Sequence, residues 1–286
     1  VQPPIEREFE FSQRDFERVR RLIRERAGIA LGPGKHNMVY SRLARRLRAR
    51  GMTRFSDYLD ALESDMAPER QDFINALTTN LTSFWREPHH FPVLAEYLRA
   101  RVAAGAQRLH IWCCAASTGE EPFTIAITAA QAFASFAPPV RVLATDIDTR
   151  ALAVARNGLY PAEALAAVDP EIVRRYFVSL PDAGEARLRV RPELASRVVF
   201  EPLNLLHGTW PPAGPFDAVF CRNVMIYFDK PTQYAVLGRI ASRMAPGGLL
   251  FAGHSESFAE ARNLLRLRGR TVYERVPGGA SAGRAP

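Results

Sequence analysis

Residues 109–122 read LHIWCCAASTGEEP. The apolar run LHIWC passes through small residues into S-T-G and then E-E-P, the pattern of a buried strand, a turn and a helix start, where an open α/β sheet places its ligand. A helix N-terminus that receives phosphate wants glycines for close backbone approach and no competing anion. This turn offers Ser117, Thr118 and one glycine, Gly119, followed by the carboxylates of Glu120 and Glu121. The cofactor it suits is a nucleoside without phosphates that carries positive charge of its own. S-adenosylmethionine, with its sulfonium and ammonium groups, meets that description better than a dinucleotide. Glu120 and Glu121 are alternatives for the carboxylate that faces it, the other capping the helix.

Downstream, strand-like segments at 109–114, 140–145, 198–202, 216–221, 248–252 and 271–276 alternate with helical ones, the signature of a parallel α/β sheet. The second strand ends in ATDID. Asp146 there stands where an acid grips the paired hydroxyls of a ribose, and Asp148 is the better cap for the next helix. The dinucleotide fingerprint G-x-G-x-x-G is absent. The strand FDAVFC leads into RNVMIYF, so Arg222 and Asn223 follow a buried strand directly, either as ligand contacts or as loop stitches, with Tyr227 a turn later. Between 176 and 198 the helical period fails, and FVSLPDAGEARLRVR holds a turn between two β-like pieces, which predicts a small hairpin subdomain inserted in the sheet.

Upstream, the chain reads as helices. Ser12 can cap a helix carrying Phe16, Val19 and Ile23, with Gly28 as its stop; a second helix over 36–50 aligns Val39, Leu43 and Leu47. Arg42, Arg46 and Arg50 form another row at i, i+4, with Arg45 and Arg48 beside it, so this helix is expected to be apolar inside and cationic outside. Two shorter helices follow, around 56–64 and from Pro68, and a longer one ends near Gly105. The organisation expected is a basic helical substrate-recognition domain at 1–88, a linker helix at 89–105, a sheet domain at 106–276 with its insert near 176–198, and a low-complexity, disordered tail at 277–286.

The formal charge of +8 is local rather than general: residues 1–54 hold fourteen Lys and Arg against six Asp and Glu, and no acid stands between 26 and 56. Such a patch implies one acidic partner, not broad polyanion binding, and no exposed aromatics interleave with it as nucleic-acid binding requires. The chain has no apolar run of 18 residues and no secretory pattern at its start, and its three cysteines are read as reduced small hydrophobes. A cytoplasmic protein without a metal is expected.

These pieces together resemble the chemotaxis receptor methyltransferases, which methylate glutamate side chains on bacterial chemoreceptors. The resemblance spans nearly the whole chain and rests on TNLTSFWREPHHF, AASTGEEP, ATDID, LNLL, FCRNVMIYF and FAGHSES in that order. It implies a class I S-adenosylmethionine-dependent methyltransferase sheet with an N-terminal helical domain and a β-hairpin subdomain. It also implies cofactor contacts from Asn80, Thr82, Arg86, the Glu120/Glu121 pair, Asp146, Asn204, Leu205, Arg222 and Asn223. Residue spacing alone would assign Asn80 and Thr82 only as helix-end polar groups. Arg86 can pair with the methionyl carboxylate, a turn carboxylate with the ammonium, and Trp85 is either a stacking platform or a buried interdomain tryptophan.

A glutamate side chain, with a pKa of about 4.3, is ionised at neutral pH and needs no general base. The expected products are a glutamyl methyl ester and S-adenosylhomocysteine, with rate gained through alignment. Tyr227 is the candidate for orienting the target carboxylate, or else a hydrogen-bonded core tyrosine. Arg42, Arg45, Arg46 and Arg50 are the candidates for holding acidic receptor helices, and the insert is a candidate strand partner for a receptor C-terminal peptide. A monomer is expected. The rival readings are a nucleic-acid methyltransferase, which would label RNA, and a catalytically idle scaffold that senses the cofactor.

Overall fold

The computed structural model describes residues 8–64, 67–180, 186–210 and 214–277. It divides into two compact units, one formed by residues up to Thr79 with Tyr227–Asp229, the other by Asn80–Ile226 with the residues from Lys230 onward. The boundary thus falls at 79/80, ahead of the 88 expected from the sequence, because the segment after Thr79 packs with the sheet.

The first unit contains α1 (Gln13–Ala27), α2 (His36–Arg50), α3 (Phe55–Ser64) and α4 (Ala67–Leu77). A capping box starts α1: the Asp15 amide donates to Ser12 Oγ at 3.1 Å, and the Ser12 amide donates to the Asp15 carboxylate at 3.0 Å. Gly28 and Gly51 end α1 and α2 in the left-handed region, at φ 70° and 64°. The predicted stripes Phe16, Val19, Ile23 and Val39, Leu43, Leu47 are fully buried, joined by Phe55, Tyr58 and Leu62.

The arginine row of α2 departs from expectation. Arg46 is turned onto α4, with its guanidinium donating to Glu69 at 3.0 and 2.8 Å and to Asp72 at 2.6 Å, and the Tyr58 hydroxyl donates to the same Glu69 at 2.8 Å. Arg42 donates to the Thr78 carbonyl at 2.6 Å, just past the end of α4, and Arg50 stands 3.8 Å from Glu69. Helical spacing does put the three on one line. The line faces acids of α4 and carbonyls at its end, all distant in sequence, which local charge counting could not connect. Arg45 and Arg50 are exposed, and Arg48, also exposed, pairs with Glu8 at 2.6 Å.

The second unit opens with α5 (His90–Ala103) and continues through β1 (Leu109–Cys113), α6 (Glu120–Ala132), β2 (Val140–Asp146), α7 (Thr149–Asn157), β3 (Leu159–Pro161), α8 (Pro170–Tyr176), β4 (Phe177–Leu180), β5 (Arg187–Val190) and α9 (Pro192–Ala195). It ends with β6 (Val198–Pro202), β7 (Phe216–Cys221), α10 (Lys230–Arg243), β8 (Met244–Ala252), β9 (Leu265–Gly269) and β10 (Val272–Arg275). The main sheet runs β6-β2-β1-β7-β8-β10-β9. The first five strands are parallel, and β10 lies antiparallel between β8 and β9. Strand order reverses around β1, flanked by β2 and β7, so the carboxyl ends of these three strands form the switch point where such sheets take ligands.

All six predicted strands are present. Two were missed: β9, whose LRLRG alternates at an exposed edge, and the three-residue β3. The insert is accordingly a three-stranded antiparallel sheet, β3-β5-β4, its third strand supplied from before α8. The turn at 181–185 and the tail from 278 lie outside the described residues.

Candidate active site

At the carboxyl end of β1 the chain turns through residues 114–119 into α6. Ser117 and Gly119 both take positive φ, 49° and 100°. The glycine is required: a Cβ there would lie 2.7 Å from the Tyr160 hydroxyl and 2.9 Å from Ala155 Cβ. Tyr160 in turn donates to the Thr118 carbonyl at 2.8 Å, which fixes the turn.

Three amides of this turn already have acceptors within the protein. Ser117 N–H donates to Asp146 Oδ2 at 2.8 Å, Ala116 N–H to the Thr145 carbonyl at 2.9 Å and Gly119 N–H to the Ala116 carbonyl at 2.9 Å. A phosphate here would meet two carboxylates. Glu120 is buried and accepts from the Thr118 hydroxyl at 2.7 Å; burial pushes its carboxyl above the usual range against that bond. Burial likewise raises Asp146, although its other oxygen accepts the Asp148 amide at 2.8 Å. Asp148 caps α7, accepting from the Arg150 and Ala151 amides at 2.9 and 3.1 Å.

Asn80 joins this wall. Its Nδ2 donates to Asp148 at 2.7 Å and its Oδ1 lies 3.5 Å from Ser117 Oγ. Two residues on, Thr82 is half-buried, and Arg86 donates to the Leu81 carbonyl at 2.8 Å. On the far side of β2, the Leu203 amide donates to the Asp146 carbonyl at 2.9 Å, bringing in Asn204, whose Oδ1 accepts the Leu206 amide at 2.9 Å, and the buried Leu205.

Behind the turn lies a buried ionic cluster. The Arg222 side chain, 1% exposed, is ion-paired with Glu121, donates to the Arg86 carbonyl at 2.5 Å and stands 3.5 Å from Glu87. Glu121 also accepts from Cys113 at 3.3 Å, and burial raises its carboxyl while Arg222 opposes the rise. Glu121 is therefore held by the protein, and Glu120 stands at the turn. Burial works to raise Glu87 too, yet hydrogen bonds from the His254 ring and amide, at 2.9 and 3.1 Å, together with the Arg222 charge, hold it at about 2. Burial and Arg222 push His90 down to about 4, so its ring is neutral at physiological pH. Glu87, His89 and His90 bring ligand-type atoms within 4.8 Å of one another, but the Glu87 carboxylate is engaged by Arg222 and His254, and the group belongs to this network.

Trp85, Glu87, Ser117 and Asn223 account for four of the seven non-glycine residues with positive φ among the described residues. Strained backbone of this kind concentrates where geometry matters for function. Trp85 is half-buried against the sheet core, beside Phe84 and Phe91.

The structure thus brings Asn80, Thr82, Arg86, Glu120, Glu121, Asp146, Asn204, Leu205, Arg222 and Asn223 to one end of the sheet unit. Tyr227 belongs to the first unit, where its carbonyl accepts the Ala30 amide at 3.1 Å, and Arg42, Arg45, Arg46 and Arg50 belong to that unit too. Sequence reasoning missed Glu87, Tyr160 and Glu256. Each acts through contacts distant in sequence, and only the FAGHSES motif marked the last.

Comparison with known proteins agrees with this geometry. The family model described as "CheR methyltransferase, SAM binding domain" matches residues 80–273, and "CheR methyltransferase, all-alpha domain" matches 14–78. A chemotaxis protein methyltransferase of Klebsiella aerogenes is 52% identical over 92% of this chain and 89% of its own length. Those of Escherichia coli and Pseudomonas aeruginosa (its methyltransferase 2) are 50% and 48% identical, over 92% and 93% of this chain and 91% and 94% of theirs.

Proposed function

This chain belongs to the CheR methyltransferase family, and from that premise we propose that it methylates glutamate side chains on the acidic cytoplasmic helices of chemoreceptors. It is an S-adenosylmethionine-dependent methyltransferase of chemotaxis. The observation that carries the cofactor reading is the turn after β1, whose rim carries the buried carboxylates of Glu120 and Asp146 where a phosphate would have to sit. Among the described residues no helix is long and apolar enough to cross a membrane.

When bound, S-adenosylmethionine supplies an electrophilic methyl group on a sulfonium. Arg86 is the partner for its carboxylate and Glu120 for its ammonium, while Asp146 keeps a lone pair for the ribose hydroxyls beyond the amides it already accepts. Arg222 and Glu121 brace the wall from behind, and Asn223, Asn80, Thr82, Asn204 and Leu205 complete the pocket. The acceptor glutamate is already ionised, so the protein need only align it and exclude water. Tyr227 orients that carboxylate through its hydroxyl. Tyr227→Phe is expected to keep S-adenosylhomocysteine affinity and lower kcat about tenfold, the loss of one orienting hydrogen bond; unchanged kcat removes Tyr227 from the reaction.

Receptor helices dock on the basic face of α2, with Arg45 and Arg50 as the exposed contacts and Arg42 and Arg46 holding the helix in place. Arg45→Glu is expected to lower kcat/KM for receptor fragments severalfold, more at low salt, without changing cofactor affinity. Arg46→Glu places a third carboxylate beside Glu69 and Asp72 and should destabilise the helical unit by about 3 kcal/mol, read by denaturant unfolding. Equal receptor defects with equal stability would refute this division of labour. The outer edges of β3 and β4 offer pairing sites for a receptor C-terminal peptide.

The deciding experiment supplies methyl-labelled cofactor with receptor cytoplasmic fragments or with RNA. Label on the fragments alone is expected; label on RNA alone favours a nucleic-acid methyltransferase, and none on either an idle scaffold.

A further inference from the structure

We propose that Glu256 is a positioning residue for the cofactor site, its buried carboxylate fixing the loop that presents Asn223. Glu256 is 6% exposed and takes no part in the contacts assigned above. Its Oε2 accepts the amides of Asn223 at 2.9 Å and Gly253 at 2.6 Å. Its Oε1 accepts those of Val224 at 3.0 Å and Met225 at 2.8 Å. One carboxylate therefore gathers three consecutive amides just past the carboxyl end of β7 and ties them to the end of β8.

The arrangement needs such an anchor. Asn223 sits at φ 58°, a conformation that costs a non-glycine residue free energy unless its surroundings impose it. Consecutive amides pointing inward would be unsatisfied donors without an acceptor, and an ionised carboxylate can accept from all of them. Gly253 completes the cradle: a Cβ there would collide with Asn223 Nδ2 and lie 2.9 Å from Glu256 Oε2. Asn223 is thus held through its main chain by Glu256 while its side-chain amide lies directly over Gly253. On the other side of the same loop, His254 engages Glu87, the neighbour of Arg86. The G-H-S-E segment clasps together the two stretches that carry Arg86 and Asn223.

The inference rests on the reading that Asn223 contacts the cofactor. Glu256→Gln keeps the shape but offers one acceptor oxygen and turns an NH2 group against two amides. Titration calorimetry with S-adenosylhomocysteine is expected to show at least tenfold weaker binding for Glu256→Gln. Hydrogen exchange of the free protein should show lost protection at 223–225 and unchanged protection in β1 and β7. Gly253→Ala, which crowds both the Asn223 side chain and the Glu256 carboxylate while keeping the charge, should weaken binding likewise and carries the test should Glu256→Gln fail to fold. In an Asn223→Ala background, Glu256→Gln should add less than twofold. Wild-type affinity in Glu256→Gln, or losses that simply multiply in the double variant, overturns the proposal. Should Asn223→Ala alone bind as the wild type does, the assignment of Asn223 falls and takes the proposal with it, which is distinct from Asn223→Ala binding weakly while Glu256→Gln binds normally.

Discussion

Arg222→Met is expected to abolish measurable S-adenosylhomocysteine binding and to lower the stability of the sheet unit by about 3–5 kcal/mol, the cost of leaving buried charge uncompensated. The side chain is 1% exposed and lies among Glu121, Glu87 and the Arg86 carbonyl. Methionine approximates its volume, so the loss isolates the charge and its fork of donors from packing. Two carboxylates would then face each other across an apolar wall, and the segment carrying Arg86, ahead of α5, would lose its tie to the end of β7. Arg222→Lys keeps the charge without the planar fork and should recover part of the stability but little of the binding. Adding Glu121→Gln to Arg222→Met should recover stability again by removing one unpaired charge. Calorimetric binding together with urea unfolding reads both quantities. A stable Arg222→Met variant with ordinary affinity would mean that the buried cluster does not hold the site.

Gly119→Ala should cost about 3 kcal/mol, from left-handed strain and overpacking together, and weaken cofactor binding by at least tenfold. Gly119 stands at φ 100°, and the added methyl would meet the Tyr160 hydroxyl at 2.7 Å and Ala155 Cβ at 2.9 Å. Relief could come only by pushing Tyr160 off the Thr118 carbonyl or by shifting α7. Tyr160→Phe combined with Gly119→Ala removes the first collision and should restore part of the loss. Thermal unfolding with and without S-adenosylhomocysteine separates the two effects. A Gly119→Ala variant as stable and as tight-binding as the parent would show that the turn yields freely and that its tight geometry is not what shapes the site.

The decisive stretch of sequence was legible because strand, turn and helix are contiguous there. The acidic turn excluded phosphate on composition, and the structure adds what composition could not contain: Asp146, from the next strand, lies against the turn and takes the Ser117 amide. Six strands were visible as apolar runs. β3 was not, since three residues carry no period, and β9 hid because its arginines line a solvent edge. The α2 row shows the limit of local charge reading. Arg46 looked free while no acid stood between 26 and 56, yet Glu69 and Asp72 reach it from α4. Glu87, Arg222 and Glu256 share that character, each defined by partners far along the chain. Asn80 and Thr82 entered only through family resemblance; the structure shows Asn80 donating to Asp148, a contact 68 residues apart in sequence.

A methyl group placed on a carboxylate is told from one on nitrogen or sulfur by its lability in base. After incubation with methyl-labelled S-adenosylmethionine and receptor cytoplasmic fragments, the purified product is treated with mild base and the volatile label is counted. Release of the label as methanol, lost when the receptor glutamates are changed to alanine, is the predicted result. Label that stays on the protein in base, as an amine- or thiol-bound methyl would, contradicts the account.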